Sequence, residues 1–310
     1  MTLGDFLFFY EHFRNVIARK YVPLWSEKNE NTTLSATQPV TIVIPLYRLN
    51  LSRMEEVSLR QCFKVMAGRD IAIVHPRSLE IEPLCRIAGS DRFRSEAFDD
   101  RWFDGREAYN RLMLSPELYG RFAESEFMAV VQSDVYLFSD RLDEWTDAGY
   151  DYVGAPWLPA LTDVQGWNVF RRATYALRRL YGRVVPGFHP INLKYRVGNG
   201  GFSLRRTATF HQIARAHAPE INTILESARG SAGFEDVVWS VTLAGRHPDR
   251  IHVAPWREAL AFSVESHPAL AMRILDGQLP MGTHAYWRAR NRRQWRQWVD
   301  FESIVSQSGD

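Results

Sequence analysis

The sequence has little cysteine and lacks any long apolar run. Its 310 residues include 2 cysteines, Cys62 and Cys85, which are too few for a disulfide framework and do not form a CxxC pair for zinc or redox chemistry. The longest apolar stretches, such as 127–131, are far shorter than the roughly 18 residues of a membrane-spanning helix. The N-terminal segment contains acidic residues and no small-residue cleavage site, unlike a secretory signal. We therefore expect a cytoplasmic protein without membrane-spanning helices.

An excess of charge of one sign is also missing. The 38 Lys and Arg residues nearly balance the 36 Asp and Glu residues, which gives a net charge of +2. Such a balance does not favour a nucleic-acid partner. The 45% of hydrophobic residues exclude a disordered chain, and the length suits one large domain or two modest ones. Aromatic residues, at 13%, suit either a packed core or a site that stacks on sugar or base rings.

Hydrophobic periodicity predicts how the chain is organised. Residues 1 to about 25 are typical of an aromatic amphipathic helix, and the polar residues that follow are typical of a linker. The β-branched runs 40–45 and 71–75 predict buried strands. Between them, Ser52 and Glu55 have the spacing of a capping box at a helix start. The order strand, helix, strand predicts a βαβ unit with parallel strands.

A third predicted strand, 127–132, is followed by a carboxylate. Asp134 comes directly after this apolar run, where ligands bind in open α/β folds. A carboxylate near apolar surroundings needs a partner, and Mg²⁺ or Mn²⁺ that bridges two phosphates would be one. An aspartate that only caps a turn at the strand end is an equally good interpretation of this residue by itself.

Three later segments have residues suited to ligand chemistry. The glycines of 198–201 allow a close approach of backbone to a ligand, although an ordinary turn has the same composition, and the spacing fits neither a Rossmann fingerprint nor a P-loop. Glu235 and Asp236 open an apolar-periodic helix, where the helix dipole favours an ionised general base; acidic first turns are also common caps. His284 follows a glycine turn. This position fits a metal ligand, and it fits an ordinary core histidine as well.

Basic residues are concentrated in two places. The tail 287–298 alternates tryptophan with arginine and is typical of a surface helix or docking face. The other cluster consists of Arg171, Arg172, Arg178, Arg179 and Arg183. Both clusters are suited to binding phosphates or an anionic membrane, although a solvated helix face is the commoner explanation of such a cluster.

The order of these motifs resembles a known family. The motifs are Tyr109-Asn110, Gln132-Ser133-Asp134, YDYVGAPW at 150–157, GNGGFSLR at 198–205, Glu235-Asp236 and GTHA at 282–285. Over residues 40–287 they resemble a bacterial domain-of-unknown-function family related to GT-A glycosyltransferases. The resemblance implies an α/β fold with a Rossmann-type, mixed but mostly parallel sheet flanked by helices in a single large domain, 39–287. An N-terminal helix and linker, 1–38, precede this domain, and a basic aromatic tail, 288–310, follows it.

The resemblance also implies an inverting, nucleotide-sugar-dependent glycosyltransferase of cell-surface polysaccharide synthesis. Asp236 would deprotonate the acceptor hydroxyl, and Glu235 would hold the acceptor or be the second candidate for the base. Asp134 and His284 would hold a Mn²⁺ or Mg²⁺ ion. The motif that usually reads DxD reads Gln-Ser-Asp here, which leaves Asp134 as its only carboxylate. The donor nucleotide is expected at Pro45, Tyr47, Arg48, Gln132 and Asp134, and the other substrate groups at Trp157, Asn199, Gly200 and Gly201.

The expected partners are a nucleotide-sugar donor and a glycan or lipid-linked acceptor, without nucleic acid. The aromatic N-terminus and the tail suggest peripheral contact with the inner face of a membrane. A different class of function stays open, namely a catalytically silent module that binds carbohydrate or nucleotide. Gln132 favours that module, whereas the presence of Asp134, Asp236 and His284 favours the enzyme.

Overall fold

The apolar runs of the sequence form the centre of a six-stranded sheet. The structure is a computed structural model that describes residues 39–159, 193–228 and 230–306. The strands of this sheet are β1 (Val40–Pro45), β2 (Asp70–Pro76), β3 (Arg94–Phe98), β4 (Phe127–Val131), β6 (Tyr152–Gly154) and β7 (Phe202–Arg206). The strand order is β3-β2-β1-β4-β7-β6. β1 is parallel to β2 and β4, and β2 is parallel to β3, whereas β7 is antiparallel to both β4 and β6.

A second sheet of three short strands continues from the first. It has the order β5-β9-β8, with β5 (Val135–Leu137), β8 (Ser263–Val264) and β9 (Gly282–His284). β5 is antiparallel to β9, and Val135 lies opposite His284. Because β5 follows β4 after only three residues, this small sheet brings a late part of the chain to the end of β4.

Helices cover the sheets and connect the strands. Two 3₁₀ helices, Asp100–Phe103 and Gly230–Gly233, and a π-helix, Val238–Leu243, complete the regular structure. The α-helices are α1 (Arg53–Val65), α2 (Leu84–Ala88), α3 (Gly105–Met113), α4 (Pro116–Arg121), α5 (Leu142–Asp147), α6 (Thr207–Ala216), α7 (Ala218–Ser227), α8 (Glu235–Val237), α9 (Ala244–Arg246), α10 (Trp256–Phe262), α11 (Pro268–Ile274), α12 (Ala289–Trp295) and α13 (Phe301–Ser306).

The predicted βαβ unit and the fold class are confirmed. The three buried strands lie where the apolar runs predicted them, and the capping box of Ser52 and Glu55 begins α1. The sheet is mixed and mostly parallel, as expected. The predicted N-terminal helix and linker and the arginine cluster at 171–183 lie outside the described residues.

The helix after Glu235 differs from the prediction. Its first turn, α8, is α-helical, but residues 238–243 form a π-helix before α9 resumes the α-helical pattern. The apolar spacing of Val237, Val238 and Val241 covers too few turns to distinguish the two helix types. Single π-turns are frequent at functional sites.

The arginine- and tryptophan-rich tail contains the predicted surface helix, with one buried face. Trp295 in α12 is fully buried and packs in an apolar cluster with Tyr286, Leu260 and Phe301. The arginines of the same helix, such as Arg290, are exposed. Trp295 therefore anchors the helix, and its arginine side is open to a partner. Among the described residues, no helix combines the length and the apolar composition that crossing a membrane requires.

Candidate functional site

Asp134 and His284 meet at the end of β4. Asp134 lies in the turn between β4 and β5, and His284 ends β9, which pairs with β5. The carboxylate Oδ1 of Asp134 lies 2.9 Å from Nε2 of His284. The backbone of Ala285 also donates to the carbonyl of Asp134 at 2.9 Å. The antiparallel pairing thus brings together two residues that are remote in the sequence.

The two side chains shift each other's protonation. Burial raises the pKa of Asp134, but the charge and hydrogen bond of His284 outweigh it and hold the pKa below its usual range. For His284 burial lowers the pKa, and Asp134 outweighs that effect, so the pKa is raised. The other imidazole nitrogen, Nδ1, is buried without a hydrogen-bond partner, and Oε1 of Glu265 lies 3.7 Å away.

This pair fits a hard divalent cation. A carboxylate oxygen and an imidazole nitrogen are ligands that Mn²⁺ accepts, and ligands at about 2.1 Å in octahedral geometry lie about 3 Å apart when adjacent. The 2.9 Å separation matches that value. Gly201 keeps the space next to the imidazole free, because a Cβ there would lie 2.5 Å from Nε2 of His284.

The glycine turn connects this pair to the acidic pair. Gly201 accepts a hydrogen bond from the backbone of Gln132 at 2.9 Å, so the turn lies beside the end of β4. A Cβ on the preceding Gly200 would overlap Oε1 of Glu235. Asn199 is buried with a positive φ of 56°, and its Oδ1 accepts from the backbone of Gly201 at 3.3 Å. The glycines therefore allow two functional side chains to contact one stretch of backbone.

Glu235 and Asp236 are held differently, although they are neighbours. Glu235 is buried, and its Oε1 lies 2.9 Å from Nη2 of Arg205. Asp236 is partly exposed, and it accepts hydrogen bonds from the backbone N–H groups of Gly200 at 3.2 Å and Val237 at 2.8 Å. Glu235 is thus tied to a cation inside the protein, whereas Asp236 lies at the glycine turn.

The protonation of this pair differs from the sequence prediction. The helix dipole was expected to favour ionised carboxylates, but burial dominates and raises the pKa of Asp236. Burial likewise raises the pKa of Glu235, to about 7, against the opposing effect of Arg205. The loss of hydration is therefore the dominant effect on both carboxylates, although they lie at the start of a helical segment.

Arg205 is a residue of this site that the sequence analysis did not single out. It is the last residue of the GNGGFSLR motif and is fully buried in β7. Its guanidinium donates to Tyr119 Oη at 3.0 Å and to Ser203 Oγ at 3.1 Å, besides the ion pair with Glu235. An arginine inside an otherwise apolar strand was the signal that could have identified it, because buried arginines are rare without a carboxylate partner.

Three of the five residues predicted for the nucleotide, Pro45, Tyr47 and Arg48, lie at the exit of β1. Pro45 ends β1, and the side chain of Tyr47 is 63% exposed. The Arg48 guanidinium pairs with Glu55 at 2.9 Å, and Glu55 in turn accepts from Ser133 Oγ at 3.1 Å. This chain of contacts connects the end of β1 to the Gln-Ser-Asp motif. The sequence predicted Glu55 only as part of a helix cap, and its contact with Ser133 was not predicted.

Gln132 and Trp157 have protein contacts of their own. The side-chain amide of Gln132 donates to Tyr109 Oη at 3.2 Å. The ring of half-buried Trp157 lies against Gly198, where a Cβ would overlap it. Trp157 thus helps to position the glycine turn, and its predicted sugar contact stays a prediction. Two further residues were missed: Glu265, beside His284, and Arg288, whose Nη1 lies 4.0 Å from Glu265.

A small substitution tests the close packing at the turn. We expect Gly201→Ala to lower the free energy of unfolding by roughly 1–3 kcal/mol, because the new methyl group would displace the imidazole of His284. Urea denaturation measures the loss. Gly68→Ala is the matched control, since a Cβ there meets no atom within 4 Å. Equal stability of the Gly201 and Gly68 variants would contradict the contact.

The arrangement of strands and helices is that of the GT-A glycosyltransferase fold. The structure of galactosyltransferase LgtC in complex with donor and acceptor sugar analogs matches with a TM-score of 0.52 at 12% identity, over 87% of this chain and 95% of that one. An active-site mutant of LgtC matches with a TM-score of 0.50 at 13% identity, with the same coverage. Apo mouse xyloside xylosyltransferase 1 has a TM-score of 0.49 at 10% identity, over 80% and 97% of the chains. At these identities the similarity is one of fold.

The chain belongs to the family described as "Protein of unknown function (DUF5672)", whose model matches residues 92–284, more than half of the sequence. The expected GT-A fold of such a family is confirmed. No curated protein matches the sequence.

Proposed function

We propose that this protein is a glycosyltransferase that transfers a sugar from a nucleotide-sugar donor to a glycan or lipid-linked acceptor. The observation that carries the proposal is the convergence of Asp134 and His284, 2.9 Å apart, beside the glycine turn that also holds Asp236. The fold supports it, because ligands of open α/β sheets bind at the carboxyl ends of the strands, where Asp134 lies.

Asp134 and His284 would hold a Mn²⁺ or Mg²⁺ ion. When bound, the ion would neutralise the diphosphate of the leaving nucleotide. The side chain of Tyr47, which is exposed, is available to stack on the base, and Arg48 lies next to it with its guanidinium 5.6 Å from the ring centre. In this proposal the nucleotide lies between the exit of β1 and the Gln-Ser-Asp motif.

Asp236 is the base in this proposal. It is partly exposed at the turn, whereas Glu235 is occupied by Arg205. Its raised pKa makes it a better proton acceptor than an ordinary aspartate. Asp236 would take the proton of the acceptor hydroxyl as that oxygen attacks the anomeric carbon, and the leaving nucleoside diphosphate would depart from the opposite face. Such in-line displacement inverts the anomeric configuration.

The acceptor side is proposed from two surfaces. Trp157 and the turn 199–201 lie where the sugar would be held, and an aromatic ring suits the apolar face of a sugar. The exposed arginines of α12 suit the anionic head groups of a membrane, which a lipid-linked acceptor of cell-surface polysaccharide synthesis would require. The proposal includes a cytoplasmic location of the protein, at the inner face of the membrane.

Thermal unfolding with nucleotides tests the donor site. At a ligand concentration of 100 times Kd, we expect UDP or GDP with Mn²⁺ to raise Tm by roughly 3–5 °C. Asp134→Asn should abolish the part of this increase that depends on Mn²⁺. Asp91→Asn, which changes an exposed carboxylate, is the control and should respond like the unmodified protein. A set of nucleoside diphosphates without any effect would contradict the proposal.

A catalytically silent module that binds nucleotide or carbohydrate is the second candidate. The observation in its favour is Gln132, which replaces the first carboxylate of the motif and has its amide bonded to Tyr109. Such a module would show the Tm increase with nucleotide but neither transfer nor hydrolysis of any nucleotide sugar in a donor panel. Turnover that depends on Asp236 would exclude it.

A further inference from the structure

A second group of metal-ligating side chains lies away from the candidate active site. His217 connects α6 to α7, Glu220 is in the first turn of α7, and His247 follows α9. Oε2 of Glu220 lies 3.1 Å from Nδ1 of His217 and 3.1 Å from Nε2 of His247. The three ligand atoms all lie within 4.8 Å of one another. Two imidazoles thus converge on one carboxylate oxygen.

The second carboxylate oxygen orients this group. Oε1 of Glu220 accepts from Nη1 of Arg246 at 2.7 Å, which leaves Oε2 turned to the histidines. The hydrogen bond of Arg246 is the largest cause that lowers the pKa of Glu220, followed among the lowering causes by His247. Residues that hold a ligand in position from behind are common around metal sites.

We propose that His217, Glu220 and His247 form a binding site for a late first-row divalent cation of the zinc class. Two imidazoles and one carboxylate are a ligand set that zinc uses, with a water molecule as fourth ligand. Tetrahedral ligands at 2.0–2.2 Å lie about 3.3–3.5 Å apart, which is close to the two 3.1 Å distances from Glu220 to the histidines; the distance between the two imidazole nitrogens is at most 4.8 Å. The side chains are 22–26% exposed, which leaves room for the water.

Charge and ligand type distinguish this site from the proposed active site. With two nitrogen ligands it favours Zn²⁺, Co²⁺ or Ni²⁺ over Mg²⁺, which prefers oxygen. The positive Arg246 next to the carboxylate weakens cation binding, so we expect micromolar affinity. The proposal is independent of the glycosyltransferase activity.

The position of the site gives the ion a structural role. His247 ends the helical segment that begins with Glu235 and Asp236 and contains the π-helix. His217 and Glu220 belong to the junction of α6 and α7. A bound ion would fasten the far end of the segment that carries the acidic pair to this junction, and so would stabilise the folded state.

Titration of the full-length, untagged protein with Zn²⁺ and Co²⁺ tests the site. We expect one equivalent to bind with micromolar Kd by calorimetry, and Co²⁺ to give the visible absorption of a tetrahedral nitrogen- and oxygen-ligated ion. His217→Gln and His247→Gln should each weaken binding more than about tenfold. His252→Gln is the matched control, because its side chain is 64% exposed and contacts Asp151 instead.

A further variant separates the two metal sites. Asp134→Asn combined with His284→Gln removes the ligands at the end of β4 and should leave this Zn²⁺ equivalent in place. Binding that is lost in that double variant, or that is unchanged in His247→Gln, would overturn the proposal. Absence of a Zn²⁺ equivalent in the unmodified protein at 100 µM metal would overturn it as well. Circular dichroism of each variant shows whether it is folded.

Discussion

Replacing Asp236 by asparagine is expected to lower kcat by roughly 10²- to 10⁴-fold, the range that a general base contributes. Asparagine keeps the shape of the side chain, but its single oxygen accepts from only one of the N–H groups of Gly200 and Val237, which bond to different oxygens of Asp236. It cannot take a proton from the acceptor hydroxyl. The affinity for the nucleoside diphosphate should therefore stay within about twofold, since the metal ligands are untouched. Transfer or hydrolysis across a panel of UDP- and GDP-sugars, with calorimetry for binding, measures both quantities.

The pH dependence gives an independent check of this base. The carboxylate is active when deprotonated, and burial raises its pKa above the usual 3.8. Activity should therefore fall as the pH decreases through this raised pKa, at a higher pH than for an ordinary aspartate. Asp91→Asn, at an exposed position, should keep the rate and the profile of the unmodified protein. Equal rates in the Asp236→Asn and Asp91→Asn variants would show that Asp236 is not the base.

Removal of the Arg205 side chain charge is expected to destabilise the protein by roughly 3–5 kcal/mol, because Arg205→Met leaves Glu235 buried without its cation. Tyr119, which loses the guanidinium as a neighbour, still donates to the carbonyl of Met113 at 2.8 Å, so the main loss is that of the ion pair. Urea unfolding at pH 8 measures the effect.

Because the Glu235 carboxyl group is buried, the loss of stability in the Arg205→Met variant depends on pH. The folded-state pKa of Glu235 is raised from 4.5 to about 7, so the folded protein binds a proton more readily than the unfolded chain in this range. Stability from this group is present at low pH and is lost as the pH rises from about 4.5 to 7. The Arg205→Met variant should accordingly be less destabilised at pH 5 than at pH 8.

A double substitution distinguishes the lost ion pair from a general packing defect. Arg205→Met combined with Glu235→Leu removes both charges and should recover part of the lost stability. Arg111→Met, which removes a solvent-exposed pair with Glu107, is the control and should change stability by no more than about 0.5 kcal/mol. A double variant as unstable as the single one would contradict the assignment of the loss to an unpaired Glu235.

Local sequence signals predicted the elements of the fold well. The runs at 40–45, 71–75 and 127–132 are apolar because their strands are buried on both faces, and the Ser52 and Glu55 spacing reports a contact within one helical turn. The π-helix after Asp236 was not predictable, because a short apolar pattern fits both helix types. The tail is a surface helix, as predicted, but the burial of Trp295 against residues distant in the sequence, such as Leu260, was not predictable from the local pattern.

Patterns of residues next to one another in the chain predicted three buried strands, the βαβ unit, the position of Asp134 at a strand end and the resemblance that implied His284 as its partner. Only the tertiary structure decided which side chains share a partner. Arg205 bonds Glu235 and leaves Asp236 at the glycine turn, and His217 and His247 meet on Glu220. The reason is physical: periodicity records which face of an element is buried, whereas an ion pair or a ligand set depends on the packing of elements that the sequence separates.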